Sequence, residues 1–382
     1  METADAVVVG GGAVGCSLAY HLSLRGVDTV LLERRQGLGE ESTGKCAGGV
    51  RQQFSNEVNV RVQMESVRLL RGFEEETGAP ADFRQNGYLF LFTRPRQVVE
   101  FHDLMEMWHR AGLKEARWVS SEEASALNPL LDVSDVLGGT FCPSDGIASP
   151  AGVTEGYAAA ARRRGARIRT GAEVAGIDVQ AGRVAGVRTA AGEEISTRVV
   201  FVAAGAWSGQ VGRMAGVEIP VLPYRRHIFV TDTFEALPRS APMTVDFATS
   251  LYFHPEGDGV LIGMSDRDQP PGFDTETDWS FLEKVVEVAT RRAPALETAG
   301  VKTGWAGLYE TTPDQQAILG PVEEVPGLWC ACGFSGHGFM QAPGAGSLLA
   351  QLLTEGTSEV DLTPLGWRRF ATGRLVAEKN II

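Results

Sequence analysis

Apolar positions along this chain fall into short runs, and the spacing within and between them predicts its elements. Ala6-Val7-Val8-Val9 is an apolar run of strand length that ends abruptly in Gly10-Gly11-Gly12. Apolar residues then return at helical spacing over 13–25 and stop at Gly26. Thr29-Val30-Leu31-Leu32 is a second strand-like run, closed by Glu33, so the chain opens on a βαβ unit. Helical spacing also predicts helices over 59–77, 97–111, 121–127, 150–164, 278–292 and 344–354. Strands are predicted over 88–92, 167–169, 173–179, 183–189, 199–202, 226–231, 251–254, 259–263 and 328–331. The stretch 34–51, rich in Gly, Ser and charge, reads as a loop around a ligand, and no internal repeat or low-complexity tract is present.

Within the opening unit, Gly10, Gly12 and Gly15 stand in G-x-G-x-x-G order. The first permits a tight turn, the second a close approach of backbone to a pyrophosphate, and the third close helix–strand packing. Free N–H groups at the helix start favour the phosphate charge. Glu33 lies at the end of the second strand, where a carboxylate accepts both hydroxyls of an adenosine ribose and repels a 2′-phosphate. These parts in register predict dinucleotide binding.

The net charge of −13 makes nucleic acid and anionic membranes poor partners, although a local basic funnel could still steer an anionic substrate. Five cysteines without framework spacing point to a reducing compartment. Cys330 and Cys332 share one side of a strand and read as buried small residues. No apolar run is long enough to span a membrane, and acidic residues stand where a signal peptide carries positive charge, so the expected location is cytoplasmic. The six histidines show no metal-ligand spacing and no Ser-His-Asp grouping, and no metal is expected.

With these motifs in place, the sequence resembles the D-amino-acid oxidase superfamily of FAD enzymes, and within it the sarcosine oxidase, dimethylglycine dehydrogenase and proline dehydrogenase β-subunit branch. The resemblance covers nearly the whole chain. It is carried by Val8-Val9-Gly10-Gly11-Gly12-Ala13-Val14-Gly15, by Ser42-Thr43-Gly44-Lys45-Cys46-Ala47-Gly48-Gly49-Val50-Arg51-Gln52-Gln53-Phe54, and by Val202-Ala203-Ala204-Gly205-Ala206-Trp207-Ser208. Thr312-Pro313-Asp314 and Gly333-Phe334-Ser335-Gly336-His337-Gly338-Phe339-Met340 complete the set. It implies FAD held at the pyrophosphate by Val9, Gly10, Gly12, Ala13, Val14 and Gly15, with Glu33 and Arg34 at the adenosine end. Ser42, Thr43, Lys45, Ala47, Gly48 and Gly49 would run beside the ribityl chain and flavin. Val174 would meet the adenine side, and Ala203, Ala204, Gly205 and Trp207 would line the dinucleotide crevice. Gly307, Gly336, His337, Gly338, Phe339 and Met340 would lie against the isoalloxazine, where a loop leading into a helix offers N–H donors to the charge that hydride acceptance leaves.

Several positions depart from the family pattern. Met340 stands where sarcosine oxidases carry a lysine. The stretch Trp305-Ala306-Gly307-Leu308-Tyr309, just before Thr312-Pro313-Asp314, has no cysteine, and no histidine lies at Ala148-Ser149-Pro150, the places where relatives attach FAD and a second flavin, FMN. The expected cofactor is therefore one FAD held without a covalent bond. The lysine and histidine placed over the flavin in monomeric sarcosine oxidase fall on Leu261 and Ser265. The missing lysine favours a dehydrogenase over an oxidase.

The candidates for chemistry are Arg51, Tyr252, His254 and His337. Arg51 offers a planar fork to a carboxylate or to the flavin edge. Tyr252 and His254 alternate on a strand and so share a face, and His337 lies inside the flavin loop. One residue of the Arg225-Arg226-His227 cluster and Tyr309 are further candidates for the pocket, whereas His21, His102 and His109 read as packing or surface residues. The expected fold is α/β: a discontinuous Rossmann-like FAD-binding domain over 1–85, 145–218 and 305–382, and a substrate domain with a mixed or antiparallel sheet over 86–144 and 219–304. The expected activity is FAD-dependent oxidation of a secondary amine or N-methyl amino acid, sarcosine- or proline-like, to an imine by hydride transfer to flavin N5. The alternatives are a 2-hydroxy-acid oxidoreductase and a flavoprotein subunit or assembly factor acting with partner chains. A small-molecule amine substrate is expected, with a partner subunit or electron acceptor also possible.

Overall fold

A computed structural model describes residues 2–382. The opening βαβ unit forms as its pattern dictates, with strands Ala6–Val9 and Thr29–Leu32 paired in parallel and helix Ala13–Leu24 between them. They are the middle of a six-stranded sheet. Its order is Ile318–Pro321, Leu328–Cys332, Val200–Val202, Ala6–Val9, Thr29–Leu32, Arg167–Arg169, and only the first pair is antiparallel. The apolar runs have no polar alternation because both faces are covered. On one face Ala6, Val8, Leu31 and Phe201 pack against the first helix and against helices Glu57–Arg71, Pro150–Arg163 and Gly338–Glu355. On the other, Val7, Val9, Val30 and Val202 meet Val174, Ile177 and Val187 of a four-stranded sheet built from Glu2–Thr3, Glu194–Ser196, Arg183–Thr189 and Val174–Gln180. Cys330 and Cys332 are buried and unoxidised in this second core.

The remaining large sheet has eight strands, in the order Val301–Thr311, Leu222–Thr231, Gly259–Met264, Leu251–Glu256, Met243–Asp246, Tyr88–Phe92, Gly138–Cys142, Arg117–Val119. It is mixed, because Met243–Asp246 and Tyr88–Phe92 run parallel while the other neighbours are antiparallel. Leu89, Leu91, Phe229, Phe253 and Ile262 face the amphipathic helix Trp279–Arg292. Tyr88, Phe90, Ile228, Met243 and Tyr252 face the opposite way, into the core shared with the six-stranded sheet. The last strand, Val301–Thr311, runs across the boundary drawn at residue 305.

Two predicted helices differ in extent for physical reasons. The helix predicted over 59–77 is two, Glu57–Arg71 and Phe73–Thr77, divided at Gly72, a poor helix residue. Helix Gly338–Glu355 starts six residues before the predicted 344 and carries Pro343 inside. Proline reads as a break in sequence, yet packing against the first helix carries the helix through it. Strands Met243–Asp246 and Gly138–Cys142 are not predicted: the first is only four residues long, and the second opens on two glycines, which weaken a strand signal.

Candidate functional site

The strands holding Val9, Leu32, Val202 and Cys330 are parallel and in register, so their carboxyl ends meet on one edge. A cavity of about 190 Å³ opens there, the position at which parallel α/β sheets bind ligands. It is lined by Val9, Gly10, Gly12, Ala13 and Val14, by Glu33 and Arg34, and by Ser42 and Thr43. Val174, Ala203, Ala204, Gly205, Trp207, Gly336, Gly338 and Phe339 complete the predicted set there. Gly10 has φ +116°, and a Cβ on it would stand 2.2 Å from the Ala203 carbonyl oxygen. Gly15 does not line the cavity: a Cβ there would stand 2.0 Å from the Gly10 carbonyl oxygen, so this glycine sets how closely helix and strand approach. Glu33 is fixed by two backbone donors, with Oε2 accepting from Gly11 N–H and Oε1 from Arg35 N–H, each at 2.7 Å. Arg34 lies 3.8 Å over the Trp207 ring and bonds Glu41 at 2.8 Å. Thr43 Oγ1 accepts from Ala13 N–H at 3.1 Å, leaving the other first-turn donors for an anionic group.

The loop after Glu41 is bound to the eight-stranded sheet at three points. Ser42 Oγ donates to Leu308 O at 2.8 Å, Trp305 Nε1 donates to Lys45 O at 2.9 Å, and His254 Nε2 lies 3.1 Å from Ala47 O. Beyond it is a second, smaller cavity of about 80 Å³. Lys45, Ala47, Gly48, Gly49, Gly307, His337 and Met340 line this cavity, while Gly336 and Phe339 line both. Gly336 has φ +99°, and a Cβ on it would stand 2.4 Å from the Tyr309 ring, so the absence of a side chain here is what lets this tyrosine approach the loop.

The four residues singled out for chemistry part company here. Tyr252 lines the second cavity, seated over Gly263, where a Cβ would stand 2.1 Å from its ring. His254 shares its strand face but not its cavity. Ala47 lines both hollows, and His254 lines a separate one behind the loop, with Nε2 against the Ala47 carbonyl. Arg51 reaches the second cavity but is fully buried and already bonded. It donates to Gln53 O at 2.8 Å, to His337 Nε2 at 2.9 Å and to Asn380 O, with its guanidinium 4.5 Å over Phe54. Arginine only donates, so His337 Nε2 must be the unprotonated nitrogen. Burial first, and Arg51 second, hold the His337 pKa well below the usual imidazole range. His337 is therefore a neutral ring and supplies no positive charge to the flavin loop.

Four residues missed or only half seen in the sequence also line the cavity, Arg226, Tyr88, Tyr309 and Ile382. Arg225, Arg226 and His227 alternate on Leu222–Thr231. Arg225 turns to Asp274, and His227 Nε2 accepts from Asp278 N–H, while Arg226 enters the cavity. Its Nη1 donates to Arg225 O at 2.8 Å, its Nε has no partner, and no carboxylate among the described residues pairs with it. Tyr88 joins Tyr252 and Tyr309, and burial raises all three phenols, keeping them protonated. Ile382 lines the cavity from the far end of the chain. Leu261, matched to a lysine over the flavin in one branch, instead pairs with His254 and lies outside this cavity.

A glycine-built phosphate cradle, a backbone-fixed acid for a ribose and an adjoining polar cavity fit the two ends of FAD, and they define a flavin-dependent oxidoreductase. The family model for FAD dependent oxidoreductases matches residues 5–352, and the chain belongs to that family. It is 34% identical over 386 residues to mitochondrial sarcosine dehydrogenase of Homo sapiens, covering 97% of this chain and 42% of that one. It is 32% identical over 391 residues to human mitochondrial dimethylglycine dehydrogenase, at 97% and 44% coverage. The chain thus spans less than half the length of these curated relatives. The crystal structure of L-proline dehydrogenase from P. horikoshii superposes with a TM-score of 0.92 at 35% identity, over 98% of this chain and 99% of that one.

Proposed function

We propose that this chain oxidises the C–N bond of a carboxylate-bearing secondary amine, a sarcosine- or proline-like amino acid. The observation that carries this reading is the charge of the second cavity. Lys45, Arg51 and Arg226 line it, no Asp or Glu side chain does, and the protein as a whole carries −13. Arg51 is committed to its own network, so Lys45 and Arg226 remain to hold an anion, and Arg226 presents a planar fork suited to a carboxylate. FAD, when bound, supplies the two-electron acceptor for the substrate's C–H hydride. The same cations disfavour an ammonium group beside them, so the amine binds neutral, the form that can release a hydride without a general base. Tyr88, Tyr252 and Tyr309 enclose the amine without adding charge. Names of the relatives support the substrate class: sarcosine, dimethylglycine and L-proline dehydrogenases.

We also read FAD as non-covalently held. Cys46 is the cysteine that lines both cavities, and burial pushes its thiol up to about 11, away from the reactive thiolate. Acid precipitation should leave the flavin in the supernatant; yellow precipitate would contradict this. The functional reading is tested by dye-linked turnover of sarcosine, dimethylglycine, proline and 2-hydroxyglutarate. Turnover of one or more of the amines is expected, and turnover of the hydroxy acid alone would overturn it.

A further inference from the structure

We propose that residues 375–382 form a wall of the substrate cavity and that Ile382 sets the size of the substrate admitted, an inference that rests on the reading of that cavity given above. The segment has no helix or strand of its own and is exposed over 375–377. It then alternates, with Glu378 and Asn380 each 1% exposed, Lys379 outward, and Ile382 in the cavity wall. A polar tail without regular structure would not bury a carboxylate and an amide unless each were paired. Here each is. Glu378 accepts from Ser55 N–H at 2.7 Å and from the Asn56 and Asn59 amides at 3.1 and 3.0 Å, beside the amino-terminal end of helix Glu57–Arg71. Asn380 Nδ2 donates to Gln53 O at 3.0 Å, and its carbonyl takes a hydrogen bond from Arg51. Backbone bonds from Glu378 N–H to Asp314 O and from Lys379 N–H to Ser55 Oγ complete the anchorage. The segment is thereby tied to Arg51, which bonds His337, and it places Ile382 in the cavity wall.

The test uses the FAD-loaded protein and two substitutions, Ile382→Ala and Ile382→Phe. Anaerobic flavin reduction is titrated with N-methylglycine and its longer N-alkyl homologues, and with N-methyl amino acids of increasing side-chain length. Ile382→Ala should improve affinity for the long members relative to N-methylglycine by about tenfold, and Ile382→Phe should shift the ratio the other way. A merely structural role would move long and short members together, and a ratio unchanged within about twofold in both series, well below a methylene's discrimination, would overturn the proposal. A second arm needs no substrate: iodide quenching of flavin fluorescence in Glu378→Ala and Glu378→Gln. Releasing the tail should raise quenching, more in the alanine variant, and unchanged quenching in both would overturn the proposal. If no amine reduces the wild-type flavin, the amine reading fails, and the quenching arm still decides whether the tail walls the cavity.

Discussion

Arg51 and Arg226 are the same residue type at the same cavity, and their partners separate their roles. The Nε of each is without a partner, but Arg51 has acceptors in Gln53, Asn380 and His337 for its other nitrogens, whereas Arg226 has a single backbone acceptor. Replacing Arg226 by Gln should weaken substrate affinity by roughly a hundredfold or more, since breaking a buried charge pair costs about 2–5 kcal/mol. The variant should retain its flavin, and kcat should fall less than kcat/KM does; loss of flavin with unchanged affinity would contradict the assignment. The sequence places three candidates in a row at 225–227. Strand alternation says that the middle one differs from its neighbours, but not which face meets the cavity. His254 shows the converse failure. Its shared face with Tyr252 was readable, but the loop that separates their cavities comes from residues some two hundred positions away.

At the scale of elements, the motif-bearing loops are held by braces. Thr312-Pro313-Asp314 reads as a family signature, and its physical content is a buried ion pair: Asp314 Oδ2 lies 2.7 Å from Arg369 Nε, with both side chains almost wholly buried. Arg369 also donates to Gln316 O and Leu365 O. Arg369→Ala should lower stability by about 3–5 kcal/mol, the cost of stranding a buried charge, read as a shifted urea midpoint with unchanged m-value. The Gly333–Met340 loop is held by Glu310, whose carboxylate accepts from Gly333 N–H at 2.9 Å. Burial pushes the Glu310 carboxyl up to about 7, and burial likewise pushes Asp145, beneath Gln52 and Gln53, up to about 6. Both groups hold their protons more tightly when folded than unfolded. The stability they contribute is therefore full below about pH 4, the ordinary carboxyl range, and is lost as pH rises through 6 to 7. Urea unfolding of the FAD-loaded protein between pH 5 and 8 should show this decline. Glu310→Gln should flatten it by up to roughly 1 kcal/mol per pH unit, and an identical slope in the variant would contradict the assignment. The glycine loop, its flanking strands and the acid were legible because each is local in sequence. The length of helix Gly338–Glu355 and the course of 375–382 were not, because tertiary packing decides both.

Across the whole molecule, two charge distributions are set against each other: a strongly acidic chain and a cationic cavity beside a dinucleotide crevice. Composition predicts that anionic macromolecules are poor partners and leaves room for a local basic site, and Lys45, Arg51 and Arg226 line one. No helix of the described residues is long and apolar enough to cross a membrane, and no three His, Cys, Asp or Glu among them form a metal site. The central claim is that this cavity recognises an amino acid by its carboxylate and oxidises its amine. It is tested most directly by mixing the FAD-loaded protein anaerobically with sarcosine or proline and, separately, with the methyl ester of each. The free acid should bleach the flavin, and the ester should do so with an affinity lower by about a hundredfold, the worth of a desolvated charge pair. Equal bleaching by acid and ester would contradict carboxylate recognition, and bleaching by 2-hydroxyglutarate with none by either amine would contradict C–N oxidation itself.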